Sequence, residues 1–287
     1  MNRSAMLIPF TLLLGACTMT PQMPVAPQGM VVYGLTTDGR LATFGSDNAS
    51  ASVTTRAISG LPGGASLVDL DVRPMDGKLY GITSAGSLYR IDATSGAATL
   101  VSAPADGVTL MPTSMDFNPA VDRTRVFAMN DQNFRVNQTT TTFTPTADGL
   151  LKYAEMPDAN PDLAGAAYDN SYQNGGTPPV AIEGGEPATR LFSVDRSNNQ
   201  LVRHESAPGS TPAGNFSTLR PVGPLGITLG SNVGFDITTT GGQLGTDTAL
   251  LVNGDSLYTV NLTSGMTTFK SKTGVVLKAI AIQLSTP

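Results

Sequence analysis

Four aspartates recur at one position of a repeated strand, and they are the clearest candidates for chemistry in this chain. They are Asp71, Asp116, Asp169 and Asp236. Clustered carboxylates bind hard cations such as calcium. The alternative is that each carboxylate accepts hydrogen bonds from backbone amides of the turn that follows. Recurrence favours this structural role, because a structural role repeats with each unit and a catalytic one need not.

Copper is the second cation that the sequence suggests, because thioether sulfur and imidazole are copper ligands. Met19 and Met23 lie near the N-terminus, and His204 is the single histidine. Zinc and copper sites with imidazole ligands usually need two or more of them. We therefore expect His204 at the surface and the methionines to be incidental, with a copper-dependent oxidoreductase resembling superoxide dismutase as the alternative function.

The elements that must position these residues are visible in the stretch 78–96. Its two apolar runs, Leu79–Ile82 and Leu88–Ile91, flank a polar turn that contains glycine, which predicts a β-hairpin. An alternating segment at 67–72 precedes the hairpin, and a further apolar run at 98–101 follows it. The unit is therefore predicted to have four antiparallel strands.

The same hairpin pattern recurs along the chain, with copies starting at Val31, Leu79, Arg125, Arg190 and Ala249. Four-stranded units of about 40 to 50 residues are typical of an all-β fold, the β-propeller. We predict five blades, with six as the alternative because insertions at 145–189 and 206–229 could contain further strands. The last strand, 277–282, is expected to pair with the N-terminal hairpin and close the ring of a single domain spanning 30–287.

The N-terminus carries processing signals. Residues 1–17 combine a basic start and a short apolar stretch with Leu14-Gly15-Ala16-Cys17, which resembles the lipobox of bacterial lipoproteins. Cys17 is the only cysteine and is predicted to be lipidated, holding the protein to a membrane. Residues 18–29 have three prolines and no hydrophobic periodicity, and so predict a flexible tether. Thr18 weakly favours the outer membrane or cell surface.

Composition excludes some classes of partner. The net charge of −5, the pI near 4.8 and the lack of a basic run argue against nucleic acid. The chain has no tryptophan, which removes the usual stacking platform for a glycan. The 31 glycines, 20 prolines and 14 % charged residues are typical of a loop-rich extracellular β protein.

Several segments from the middle of the chain onwards resemble the domain of unknown function 4394 family, a bacterial extracytoplasmic family with propeller-like repeats. They are 132–137 (QNFRVN), 148–153 (DGLLKY), 160–171 (NPDLAGAAYDNS), 222–226 (VGPLG) and 234–237 (GFDI). The resemblance implies a propeller in the cell envelope. It implies no catalytic residues, because the family has no agreed activity.

Together these features predict an envelope lipoprotein whose propeller serves as a binding or scaffold module. We expect its partners to be the membrane, through Cys17, and an envelope protein or surface-layer assembly.

Overall fold

The computed structural model describes residues 25–156, 158–179, 188–206 and 214–286. Within them the chain is almost entirely β, with one short α-helix, α1 (Ala49–Ser52), and one 3-10 turn, Thr240–Gly242. The strands are β1 (Val31–Thr36), β2 (Arg40–Gly45), β3 (Thr54–Ala57), β4 (Leu67–Val72), β5 (Leu79–Thr83), β6 (Leu88–Ile91), β7 (Ala98–Pro104), β8 (Pro112–Asn118), β9 (Arg123–Ala128), β10 (Gln132–Val136), β11 (Thr142–Phe143), β12 (Thr146–Leu150), β13 (Lys152–Tyr153), β14 (Leu163–Tyr168), β15 (Leu191–Asp195), β16 (Gln200–Glu205), β17 (Thr218–Pro224), β18 (Val233–Thr239), β19 (Asp247–Val260) and β20 (Thr267–Ile282).

The strands form four hydrogen-bonded sheets arranged as a β-propeller. Three sheets contain one repeat each, in the orders β11-β7-β6-β5-β4, β12-β10-β9-β8 and β13-β17-β16-β15-β14. The fourth has six strands in the order β18-β19-β20-β1-β2-β3. The hairpin predicted in the stretch 78–96 is confirmed as β5 and β6, with β4 and β7 on either side.

Counted as separate sheets of the described residues, the blades number four, so the predicted number of five blades was wrong in this sense. The reason is β20, whose first part pairs with β19 and whose second part pairs with β1. In the second pairing Val32 lies opposite Ile282 and Leu35 opposite Ala279. One continuous strand thus joins the last repeat to the first, and five sequence repeats occupy four sheets.

The apolar core is divided according to the five sequence repeats, although the described residues form four sheets. Buried apolar side chains form five clusters, and each cluster lies between two consecutive repeats. Around the axis, β4, β8, β14, β18 and the end of β20 are neighbours in that order, and β20 lies beside β4. The inner strands therefore form a continuous ring even though the sheets number four.

Glycine allows two of these inner strands to approach closely. A Cβ added at Gly234 of β18 would lie 2.7 Å from backbone atoms of Ala279 in β20. A Cβ added at Gly165 of β14 would lie 3.0 Å from Phe235 Cβ in β18. Only glycine leaves room for the neighbouring backbone at such distances.

The end of the predicted tether packs against the first repeat. Gln28 N donates to Asn48 Oδ1 at 2.9 Å, and Asn48 Nδ2 donates to Ala26 O at 2.9 Å. The rest of the predicted leader and tether, with Cys17, Met19 and Met23, lies outside the described residues. None of the helices in the described part of the chain has the length and apolar character needed to span a bilayer.

Candidate functional site

Three of the four predicted aspartates meet on the propeller axis. Asp71 of β4, Asp116 of β8 and Asp236 of β18 are at most 5 % exposed, and each offers a carboxylate oxygen within 4.8 Å of the other two. We call these three residues the axial triad. The strands bring them together because each triad residue lies near the middle or end of an inner strand, and the inner strands surround one axis.

The triad carboxylates also connect neighbouring repeats. Asp71 Oδ2 accepts a hydrogen bond from Phe117 N in β8 at 2.7 Å, and Asp236 Oδ2 accepts one from Ile282 N in β20 at 2.5 Å. Asp116 Oδ1 accepts one from Tyr168 N in β14 at 3.1 Å. The predicted structural role is therefore present, but these three donors lie in the next inner strand and not in the turn that follows.

Two of the triad residues also bond locally, to the amide that follows them. Asp71 Oδ1 accepts from Val72 N and Asp236 Oδ1 accepts from Ile237 N, each at 2.6 Å. Both oxygens of these two carboxylates thus have a backbone donor. This arrangement satisfies buried acceptors while it holds adjacent inner strands in register.

Sequence reasoning missed a fourth carboxylate of the same kind. Asp69 Oδ2 accepts from Met115 N at 2.8 Å, so Asp69 repeats the link between β4 and β8 that Asp71 makes. Asp69 and Asp71 are two residues apart on one strand and therefore share a face. The spacing of two residues could have indicated that Asp69 lies beside Asp71. It was missed because the other repeats have no aspartate at the corresponding position.

Burial and mutual repulsion favour protonation of these carboxyls. Burial raises the pKa of Asp236 and of Asp69 to about 7. Burial, with the neighbouring charge of Asp236, raises the pKa of Asp71 well above its ordinary value. Burial raises the pKa of Asp116 well above its ordinary value, and the charges of Asp71 and Asp236 raise it further. The triad can therefore hold protons near neutral pH, or a cation that replaces them.

The triad's donor set fits a hard cation and not copper. It offers only carboxylate oxygens, the ligands that calcium and magnesium prefer. Copper sites normally include nitrogen or sulfur ligands. Among the described residues, the triad is the single group of three or more acidic, histidine or cysteine side chains with such spacing.

Asp169 does not join the triad, which corrects the predicted ring of four. Its Oδ2 accepts from Arg190 Nε at 2.5 Å, and its Oδ1 accepts from Arg190 N. Asp169 follows the last residue of β14, one position beyond the strand, whereas the triad residues lie within their strands. Its carboxylate thus joins the residues on either side of the segment 170–189.

His204 is buried, so the expected surface position was wrong. Its side chain stacks on Phe127 with ring centroids 5.0 Å apart, its Nε2 lies 2.8 Å from Ser193 Oγ, and its Nδ1 lies 3.1 Å from Phe216 O. Burial lowers its pKa to about 3. Both ring nitrogens are engaged, and the histidine is neutral and enclosed. The structure does not bring it to the axial triad.

The segment 171–178 covers one end of the axis, and we call it the cap segment. Asn174 N donates to Pro74 O and Asn174 Nδ2 donates to Pro119 O, both at 2.9 Å. Gln173 N donates to Ser285 O, and Thr239 N donates to Ser171 O. The cap segment thus contacts the ends of three inner strands and the C-terminal residues, which helps to explain why the triad is buried.

Comparisons with known proteins agree with this fold. The sequence profile described as "Domain of unknown function (DUF4394)" matches residues 40–281. A comparison with curated proteins gave no significant match.

Solved structures also resemble the chain. A structural genomics protein of unknown function from Bacteroides thetaiotaomicron VPI-5482 is similar over 91 % of this chain and 66 % of that chain, with 12 % identity and a TM-score of 0.50. A chain of a nidogen/laminin complex is similar over 90 % of this chain and 99 % of its own, with 12 % identity and a TM-score of 0.47. At these identities the first likeness shows the propeller fold alone.

Proposed function

Because the chain belongs to the family described as Domain of unknown function (DUF4394), whose description names no activity, we propose a function from its own geometry. We propose that it is a lipid-anchored binding module of the cell envelope whose propeller presents a rigid groove with exposed apolar side chains to another envelope protein. One observation carries this proposal: a groove with exposed apolar side chains whose walls are held by hydrogen bonds and an ion pair.

The groove lies beside the cap segment and has a volume of about 210 Å³. We call it the proline groove, and its lining residues are Pro74, Met75, Asn118, Pro119, Ala120, Val121, Asp122, Asn174, Gly176 and Pro178. Met75 is 44 % exposed and Val121 is 58 % exposed. Exposed apolar side chains grouped around a cavity are typical of a protein interaction site, and methionine is enriched at such sites.

The walls of the proline groove are preorganised. Asn174 bonds to the carbonyl oxygens of both Pro74 and Pro119, and so ties the cap segment to the loops that follow β4 and β8. Arg73 Nε donates to Asp122 Oδ1 at 2.8 Å, which joins the same two loops. Beneath them, Asp71 links β4 to β8. A surface that is already rigid loses less conformational entropy when a partner binds.

The groove makes a specific prediction. Val121→Asp places a charge among the exposed apolar side chains of the groove and is expected to reduce recovery of a cross-linked envelope partner at least tenfold. The measurement is cross-linking in intact producing cells, followed by detergent extraction and recovery of this chain. Leu100→Asp is the matched control, because Leu100 is 52 % exposed on β7, away from the groove, and should leave recovery unchanged. Equal recovery with both variants would exclude the groove as the partner site.

The anchor makes a separate prediction. Cys17→Ser removes the thiol that is proposed to be acylated, so the variant is expected to leave the membrane fraction and to lose labelling by radioactive palmitate. The reason is that several buried acyl chains contribute about 0.8 kcal/mol for each methylene. A variant that stays in the membrane fraction after a high-salt wash would contradict lipid anchoring without affecting the groove.

A further inference from the structure

A second cavity lies on the other side of Val121, between the third and fourth repeats. Its volume is about 220 Å³, and it is separate from the proline groove although the two share the turn at 118–121. Its lining residues are Asn118, Ala120, Val121, Arg123, Arg125, Arg135, Tyr168, Ala188, Thr189, Gly214 and Phe216. Three of them are arginines and none is acidic, in a chain whose net charge is −5.

Two of the three arginines of this cavity share one carboxylate. Arg125 Nη1 donates to Asp148 Oδ2 at 2.5 Å, and Arg135 binds both oxygens of Asp148 at 2.6 and 2.7 Å. Arg123 donates to the backbone oxygen of Asp122 at 3.1 Å, and it has no acidic partner among the described residues. The cavity therefore has an excess of positive charge. Arg123 is the arginine whose remaining guanidinium N–H groups are not bonded to described residues.

Two further donors face the same space. Asn118 Oδ1 accepts from Ala120 N, which leaves its Nδ2 without a hydrogen bond to described residues. The Tyr168 hydroxyl accepts from Arg125 Nε at 3.1 Å, so its own proton is available to donate. Convergent donors without a matching acceptor suit a ligand that offers acceptors only, and a carboxylate is such a group.

The remaining walls are apolar. The Phe216 ring lies edge-on to the Tyr168 ring, with centroids 5.8 Å apart, and Ala120, Val121 and Ala188 complete the lining. Buried Arg125 stacks over the Phe216 ring, with its guanidinium carbon 5.4 Å from the ring centroid, and its Nη2 donates to Gly214 O. These contacts hold the aromatic wall in place before any ligand enters.

We propose that this cavity binds a small organic acid, with its carboxylate on Arg123 and its apolar body against Phe216. The size of the cavity decides between a small acid and a peptide, because pockets for drug-sized ligands span about 300 to 1,000 Å³. An arginine fork, an apolar wall and a volume below that range select a compact carboxylate. This ligand would occupy a different cavity from the protein partner proposed above.

The test uses isothermal titration calorimetry of the purified full chain with benzoate, hexanoate and the neutral isostere benzamide. At least one of the two acids is expected to bind saturably, and benzamide at least tenfold more weakly than benzoate. Arg123→Met should weaken acid binding at least tenfold. Lys152→Met is the control, because it removes a positive charge from an exposed residue on β13, and it should change the affinity for the acid less than twofold. Neither residue lines the proline groove, so partner recovery should be unchanged.

Three results would overturn the proposal. They are the absence of saturable binding of either acid, equal binding of benzoate and benzamide, and equal binding by the wild-type chain and a folded Arg123→Met variant. Should Arg123→Met fail to fold, the proposal is tested on the wild-type chain by comparing benzoate with benzamide. Binding of the acid should then also weaken as the salt concentration rises, as binding of an anion requires.

Discussion

Raising the pH from about 5 to about 8 is expected to lower the free energy of unfolding of this protein by about 3 kcal/mol or more. The cause is the axial triad. The pKa of Asp236 is raised from 3.8 to about 7 by burial, so below pH 3.8 its carboxyl is protonated in the folded and the unfolded chain alike. Between pH 3.8 and about 7 the unfolded chain loses this proton and the folded chain keeps it, so stability falls as pH rises. Asp71 and Asp116 contribute in the same direction.

Asp116→Asn isolates this effect. Asp116 accepts one backbone hydrogen bond through Oδ1, which an asparagine Oδ1 can also accept, and the amide imitates a protonated carboxyl that faces Asp71 and Asp236. Urea unfolding at several pH values should show the variant close to the wild type near pH 5 and more stable than it near pH 8. Asp92→Asn is the control, because Asp92 is an exposed turn residue whose carboxylate accepts from Thr94 N and Ser95 N. A wild-type curve that rises between pH 5 and 8 would contradict this account.

The same titration checks the predicted calcium site. A calcium ion held by the triad binds the ionised carboxylates, so calcium is expected to raise stability more at pH 8 than at pH 5 in the wild type. Asp116→Asn should remove most of that gain. Identical unfolding curves in calcium and in a chelator would show that protons alone occupy the triad, and the pH prediction would stand unaffected.

Replacing Arg125 by methionine is expected to lower the free energy of unfolding by about 3 to 5 kcal/mol, the range found when one partner of a buried ion pair is removed. The Arg125 side chain is 2 % exposed, and it donates to Asn133, Tyr168, Asp148, Gly214 O and Asn215 O. It therefore joins the third repeat to the loop before β17 in the fourth. Its removal leaves buried acceptors unsatisfied in both repeats.

Arg135→Met is the matched control for this second prediction. Arg135 pairs with the same Asp148, but its side chain is 27 % exposed, and Asp148 keeps Arg125 as a partner when Arg135 is removed. The expected loss is about 1 kcal/mol or less. Denaturant unfolding of both variants gives the comparison. Equal losses would mean that burial of Arg125 within its network adds nothing beyond an ordinary ion pair.

The sequence determined the hairpins, the repeat and the recurrence of aspartate in the repeated strand. Hairpins such as β5 and β6 are encoded by adjacent apolar runs and a glycine turn, which are local signals. The recurrence of aspartate in β4, β8 and β18 indicated residues that share one environment. These predictions depend on neighbours within a few residues, and so they could be made without the tertiary structure.

The sequence could not determine which aspartates would meet or which groups would be buried. Asp169 lies one residue beyond its strand and pairs with Arg190, whereas Asp69 joins the links between inner strands without being part of the repeat pattern. His204 was expected at the surface because it is the single histidine and imidazole metal sites usually need two or more. In β16 alternate residues face opposite sides of the sheet, and the side of His204 packs on Phe127 of the preceding repeat.

The sheet count and both cavities likewise depend on residues far apart in the chain. The fusion of the first and last repeats requires β20 to pair at one end with β19 and at the other with β1. The cavity at Arg123 combines residues from 118 to 216, and the proline groove combines three loops. The sequence by itself therefore determined the repeating hairpins and the recurrence of aspartate along them. Only the tertiary structure decided which side chains face one another across repeats, because those contacts depend on how the ring packs and not on local pattern.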